Sequence, residues 1–209
     1  MMRRNVYIAI CCCAAGLFSP MLSGCSGTAA SLTIERQEPA RAPDGEAANS
    51  LSAPEQVAAR LAGPGAVDGN ASVVHLSDGD TLTVRFPDGG EEKIRLIGID
   101  TPETKRPNTP IQCFGPEASR FLAAIAPVGT AVRVERDVEE RDRYGRLLGY
   151  VYRATDGLFL NRELALQGYA NLLTFPPNVA HVDEFTDAVH VAREEQRGLW
   201  RACPTTVGS

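Results

Sequence analysis

SVVHLSDGDTLTVRFPDGGEEKIRLIGIDTPE, residues 72–103, decides the fold. Residues 72–76 and 81–86 run with β-branched or alternating apolar positions, and residues 93–99 repeat the habit, so three strands are predicted. Pro87-Asp88-Gly89-Gly90, between the second and third, is a hairpin signal. A hairpin folded about Gly89 sets Asp80 opposite Gly98. Asp100 is then the diagonal neighbour of Asp80 on the same face, roughly 7–8 Å away. Pro102 ends the third strand, which lets Glu103 turn back towards the two acids from a loop. Arg95 differs in parity from Asp100, so bringing it to the acids requires a bulge near Gly98.

Downstream, Pro116 to Ala126 reads as a helix, with Pro early and Phe121, Leu122 and Ile125 on one side. Ala131 to Arg136 and Leu147 to Arg153 read as a second hairpin around the charged turn Arg141 to Gly145. Leu158 to Gly168 and Val182 to Gly198 are two further amphipathic segments. Five short strands and three helices, one helix lying between the third and fourth strands, predict an α+β, mainly β fold: a small Greek-key barrel decorated by helices.

Three segments carry chemistry: Asp78-Gly79-Asp80-Thr81, Arg95 with Asp100-Thr101-Pro102-Glu103, and Asp142-Arg143-Tyr144-Gly145-Arg146. Three acids converging on one spot repel one another unless a cation or a proton intervenes, and hard oxygen ligands favour calcium or magnesium over zinc. Arginines beside them match phosphate oxygens. Taken one at a time each segment reads as an ordinary turn or loop; their conjunction in a five-strand pattern suits phosphodiester cleavage. His75, His181 and His190 are scattered and read as core or surface residues.

With these motifs, and with Phe114-Gly115-Pro116-Glu117-Ala118, Asn161 and Gln167-Gly168, the stretch from Ser72 to Trp200 resembles the thermonuclease, or staphylococcal-nuclease-like, family. The resemblance implies an OB-fold five-stranded barrel. It implies one Ca2+ held by Asp80, Asp100 and the Thr101 carbonyl, with Glu103 orienting or deprotonating the attacking water. Arg95 and Arg146 then bind the scissile phosphate, and Arg143 and Tyr144 hold a terminal phosphate. The implied substrates are single-stranded DNA, RNA and accessible double-stranded DNA, and the products carry 3′-phosphate ends. One stretch departs from the family. Where its well-studied members have base-stacking tyrosines before Lys-Pro-Asn, this chain has Leu172-Leu173-Thr174-Phe175-Pro176-Pro177-Asn178, one residue shorter. Phe175 supplies a stacking face for a base; Leu173 does not.

The chain's first stretch stands outside the fold argument. Arg3 and Arg4 precede an apolar run from Val6 to Phe18, and Leu22-Ser23-Gly24-Cys25 follows. This pattern describes a secretory signal over residues 1–24, ending in a sequence that resembles the bacterial lipobox, so Cys25 is the expected lipidation site. The chain is thus expected at the cell envelope, facing the periplasm or the outside, and tied to the membrane by that lipid. Residues 25–70 are rich in Ala, Pro, Gly and Ser and read as a flexible tether, with at most a helical fragment at Ala53 to Leu61. The folded domain is expected over 71–204, with 205–209 a flexible tail, and the default oligomeric state is a monomer.

Of six cysteines, Cys11, Cys12 and Cys13 fall in the removed segment and Cys25 is committed to lipid. Cys113 and Cys203 remain, an even pair in a compartment that permits disulfides, and are expected to be bonded, a stabilisation of ~2–4 kcal/mol. From Ala71 onward 16 Lys and Arg stand against 20 Asp and Glu, a net charge of −4, so long-range attraction to nucleic acid is modest. An alternative is a catalytically weak module that only binds nucleic acid or protein at the envelope. The set Asp80, Asp100, Glu103, Arg95 and Arg146 argues for catalysis, because a binder needs no acid cluster.

Overall fold

A computed structural model describes residues 52–105 and 110–203. The signal segment, Cys25, residues 26–51 of the expected tether and the tail 205–209 lie outside the described residues. The elements run α1 (Ala53–Ala58), β1 (Ala71–Asp78), β2 (Thr81–Arg85), β3 (Glu91–Leu96), β4 (Gly98–Asp100), α2 (Gly115–Ile125) and β5 (Ala131–Glu135). There follow β6 (Leu147–Arg153), α3 (Leu160–Leu166), β7 (Asn171–Leu173), α4 (Val182–Glu194) and α5 (Leu199–Ala202). Strands β1-β2-β3-β6-β5 close a barrel, with β1 antiparallel to both β2 and β5 and β3 parallel to β6. β4 and β7 pair separately beside it. This is the five-stranded OB-type barrel the sequence predicts.

Alternation turns Leu82 and Val84 of β2, Ile94 and Leu96 of β3, and Val132 and Val134 of β5 into the core. α2 buries Ala118, Phe121, Leu122 and Ile125, spaced three, four and seven residues from the first, the apolar stripe of a helix lying on a core. α4 does the same with Phe185, Ala188, Val189 and Ala192. Each fully buried Phe, Leu or Ile contributes about 1.5–3 kcal/mol of transfer free energy. Asn161 is fully buried and satisfied: its Oδ1 accepts the Val151 N–H at 3.0 Å, and its Nδ2 donates to the carbonyls of Ile97 (2.9 Å) and Gly149 (3.2 Å). One amide thereby ties β6 to the end of β3.

Four expectations are corrected. Thr81 pairs with Arg95 and Leu82 with Ile94, and the Leu96 N–H donates to the Asp80 carbonyl at 2.9 Å, so Asp80 faces Leu96 and not Gly98. The turn centres on Asp88, whose Oδ1 accepts the Gly90 N–H at 2.9 Å. Second, the third strand breaks at Gly98, which has φ +82° and starts the short β4. A Cβ there would lie 2.1 Å from the Phe185 ring, so only glycine fits. The required irregularity is therefore present as a strand break.

Third, residues 52–70, expected as tether, are folded onto the domain. Ala58 is buried, and Val57 and Leu61 pack on the core. The segment is fastened by hydrogen bonds: Gly63 N–H to Asp156 Oδ2 (3.1 Å), Gly65 N–H to the Asp156 carbonyl (2.8 Å) and Val67 N–H to the Ala154 carbonyl (2.9 Å). Asn70 exchanges two bonds with the Val134 backbone, at 2.9 and 2.8 Å. Fourth, the last long helix stops at Glu194; Gln196 takes φ +52°, and the separate α5 follows. The three expected helices are α2, α3 and α4, with the short α1 and α5 added among the described residues.

Candidate active site

Asp80 closes the tight β1–β2 turn and is 8% exposed. Its Oδ1 accepts the Thr81 hydroxyl at 2.8 Å; its Oδ2 accepts the Thr101 hydroxyl at 3.2 Å and the Thr101 N–H at 3.3 Å. Arg95 projects from β3 towards the same point. Its Nη2 lies 3.1 Å from Asp80 Oδ2 and 2.8 Å from Asp100 Oδ1, while its Nη1 donates to the carbonyls of Leu96 and Ile99. The break at Gly98 lets this happen: the chain past it turns so that the Ile99 carbonyl and the Asp100 carboxylate both face a side chain four and five residues behind. Two carboxylates thus converge on one positive centre.

Glu103 follows on the loop after Pro102. Its Oε1 accepts the N–H groups of Thr104 (3.0 Å) and Lys105 (2.8 Å), its own N–H donates to Gln112 Oε1 at 2.8 Å, and its carbonyl accepts the Gln112 N–H at 3.0 Å. Asp78 anchors this region from below: Oδ1 accepts the Thr104 hydroxyl (2.8 Å), the Ser119 hydroxyl (3.0 Å) and the Gly79 N–H (2.8 Å). Burial pushes the Asp78 carboxyl up, but these donors outweigh it and hold the group below the usual carboxylate range.

Arg146 comes from the turn before β6. Its Nε donates to Asp142 Oδ2 at 2.6 Å and its N–H to Asp142 Oδ1 at 3.0 Å. Burial raises the Asp142 carboxyl, and the Arg146 side chain with the N–H groups of Arg146 and Tyr144 reverses the shift and lowers it. Asp142 therefore fixes Arg146 as a pre-aimed cation. Arg143 donates to the Tyr144 hydroxyl at 2.6 Å, with its guanidinium carbon 4.8 Å from the ring centre. Phe175 is 66% exposed. Its loop is tied down by Asn178, whose Oδ1 accepts the Glu139 N–H (2.7 Å) and whose Nδ2 donates to the Glu139 carbonyl (3.0 Å).

Asp80, Asp100, Thr101, Glu103, Arg95, Arg146, Arg143, Tyr144 and Phe175 all line one open cavity of about 900 Å³, so every site residue expected from sequence, apart from the lipid and disulfide positions, meets there. Cys113 and Cys203 are bonded, with Cα atoms 5.9 Å apart, and Cys25 lies outside the described residues. Lys93, Lys105, Gln112 and Asn178 also line the cavity and were not foreseen. Lys93 had a signal, since it shares the face of Arg95 two residues on; Gln112 had none.

Among the described residues no group of three His, Cys, Asp or Glu side chains is gathered as a metal cage. The two carboxylates that converge on Arg95 Nη2 already accommodate a positive centre between them, and an all-oxygen pair of this kind fits Ca2+ chemistry.

Acids able to handle water, set beside guanidinium groups shaped for phosphate in an open trough, define a nuclease on an OB-fold barrel, a hydrolase of phosphodiester bonds. Residues 93–202 match the family described as staphylococcal nuclease homologue, and the chain belongs to that family. It is 38% identical over 128 residues to the thermonuclease of Staphylococcus hyicus, covering 61% of this chain and 73% of that one. The thermonuclease of Staphylococcus intermedius is 41% identical over 128 residues, covering 61% and 74%. The endonuclease YncB of Bacillus subtilis is 33% identical over 133 residues, covering 63% and 61%.

Proposed function

We propose that this nuclease is calcium-dependent and hydrolyses DNA and RNA to products with 3′-phosphate ends, with single-stranded DNA, RNA and accessible double-stranded DNA as substrates. The observation that carries the reading is the convergence of Asp80, Asp100, Glu103, Arg95 and Arg146 on one cavity. Asp80, Asp100 and the Thr101 carbonyl are the ligands for Ca2+, which when bound supplies charge neutralisation at the phosphate. Thr101 also serves through its N–H and hydroxyl, which aim Asp80 Oδ2. Glu103 takes the proton of the attacking water. Arg146, already held by Asp142, and Arg95 donate to the non-bridging oxygens as negative charge builds on them, and the 5′ oxygen leaves. Arg143 and Tyr144 hold a terminal phosphate, and Phe175 gives one base a stacking face. The chain acts as a monomer, exported and anchored at the envelope by lipid on Cys25.

The test incubates purified protein with end-labelled single-stranded DNA, with calcium and then with a chelator. Cleavage only with calcium, leaving 3′-phosphate ends, is the expected result. Binding without cleavage under any metal would transfer the protein to the nucleic-acid-binding reading. Glu103→Gln or Arg146→Ala lowers kcat by ~100-fold or more, the effect of removing one transition-state contact.

A further inference from the structure

The geometry points to Gln112 as a positioning residue for Glu103, held in register by the Cys113–Cys203 disulfide; the inference rests on the catalytic reading of Glu103 given above. Glu103 stands on a loop, where nothing in the strand ladder fixes its backbone. Gln112 grips it from both sides: the side-chain Oε1 accepts the Glu103 N–H at 2.8 Å, and the Gln112 N–H donates to the Glu103 carbonyl at 3.0 Å. With the Glu103 backbone held on both sides, its carboxylate keeps its two bonds to the N–H groups of Thr104 and Lys105.

Gln112 is itself exposed, and an exposed glutamine ordinarily keeps its rotamer freedom. What restrains it here is its neighbour. Cys113, also exposed, is bonded to Cys203 at the end of α5, 90 residues away in sequence. α5 is docked in turn by the Leu199 N–H on the Gly168 carbonyl (2.8 Å) and by Trp200, whose ring lies 4.3 Å from the Arg193 guanidinium carbon. A covalent line therefore runs from the C-terminal end of the domain to the residue that clasps Glu103. Activity is coupled to the oxidised state of this pair.

Steady-state kinetics test it. Gln112→Met keeps the length but loses the acceptor, and kcat falls roughly tenfold with KM within about twofold of wild type. Gln112→Glu restores an acceptor oxygen and returns most of kcat. Cys113→Ser/Cys203→Ser lowers kcat in the same direction. A dithiol reductant passes two electrons and two protons to the bond, closing its own disulfide, and brings the wild type to the level of that double variant, on which it has no effect. Wild-type kcat in Gln112→Met, or a loss confined to KM that Gln112→Glu does not restore, overturns the positioning role. Indifference of the wild type to full reduction overturns the role of the disulfide. Glu103→Gln is run alongside: normal kcat there overturns the catalytic reading and the positioning with it, whereas a slow Glu103→Gln beside a normal Gln112→Met overturns the positioning alone.

Discussion

Gly98→Ala attacks the junction on which the site depends, and its effect can be worked out from two sources. The backbone at Gly98 has φ +82°, a region where a Cβ costs about 1–2 kcal/mol. The added methyl would also stand 2.1 and 2.3 Å from two ring atoms of Phe185. That ring cannot step aside, since it is 1% exposed and hemmed in by the rings of Phe159 at 5.5 Å, Tyr150 at 6.1 Å and His181 at 6.1 Å. Overpacking of this kind costs a further 1–3 kcal/mol or so. The expected loss is therefore about 2–5 kcal/mol, which lowers the urea midpoint by roughly 1–2 M at an unchanged slope. The single tryptophan, Trp200, gives the fluorescence signal for the titration. Phe185→Leu opens space, so the double variant should be less destabilised than the two single losses added together. A Gly98→Ala midpoint equal to wild type, or strict additivity in the double variant, would refute the account of why the strand breaks where it does.

Asn161→Leu leaves the Val151 N–H and the Ile97 carbonyl without their buried partner and strips the Gly149 carbonyl of one of its two donors, and should destabilise by about 3 kcal/mol or more, measured by denaturant titration. Asp156 accepts from Arg153 and from the Gly63 N–H, and the Arg153 hydrogen bond chiefly holds its carboxyl far below the usual range. Its contribution is therefore present above the unfolded pKa and lost as pH falls through the folded one. Asp156→Asn should cost roughly 1.5–3 kcal/mol near pH 7, with the gap to wild type closing towards about pH 2; a gap independent of pH would contradict the ion pair as its source. A chain beginning at residue 52 should melt higher than one beginning at residue 72, because the shorter one loses Ala58 from the core and the Gly63 and Asn70 hydrogen bonds. Equal melting temperatures would return residues 52–70 to the tether.

The barrel strands and the gathering of nine site residues were legible because alternation and motif order survive without tertiary knowledge. The details missed share a physical cause. Pairing Asp80 with Leu96 in place of Gly98 slides the hairpin by two residues, and a two-residue slide returns every side chain to the same face, so hydrophobic pattern cannot detect it. The Asp88 side chain bonding to Gly90 decides the turn instead. Residues 52–70 looked like tether because their composition is poor in large apolar residues. They fold through contacts with Arg153, Ala154, Asp156 and Val134, some 60 to 90 positions away, which no local window contains. The clasp of Gln112 on Glu103 was invisible for a similar reason: an exposed glutamine carries no pattern.

The barrel's closure has a consequence for when hydrolysis can begin. β1 waits for β5, and β3 waits for β6, so neither edge of the β1-β2-β3 meander is covered until residues 131–153 have been made. A chain halted before Arg146 carries Asp80, Asp100 and Glu103 but lacks both the sixth strand and Arg146. Pairings this far apart in sequence are entropically dear to start and slow to form. The cavity's lining is therefore complete only when segments from both halves of the domain, residues 77–112 and 139–178, have been brought together.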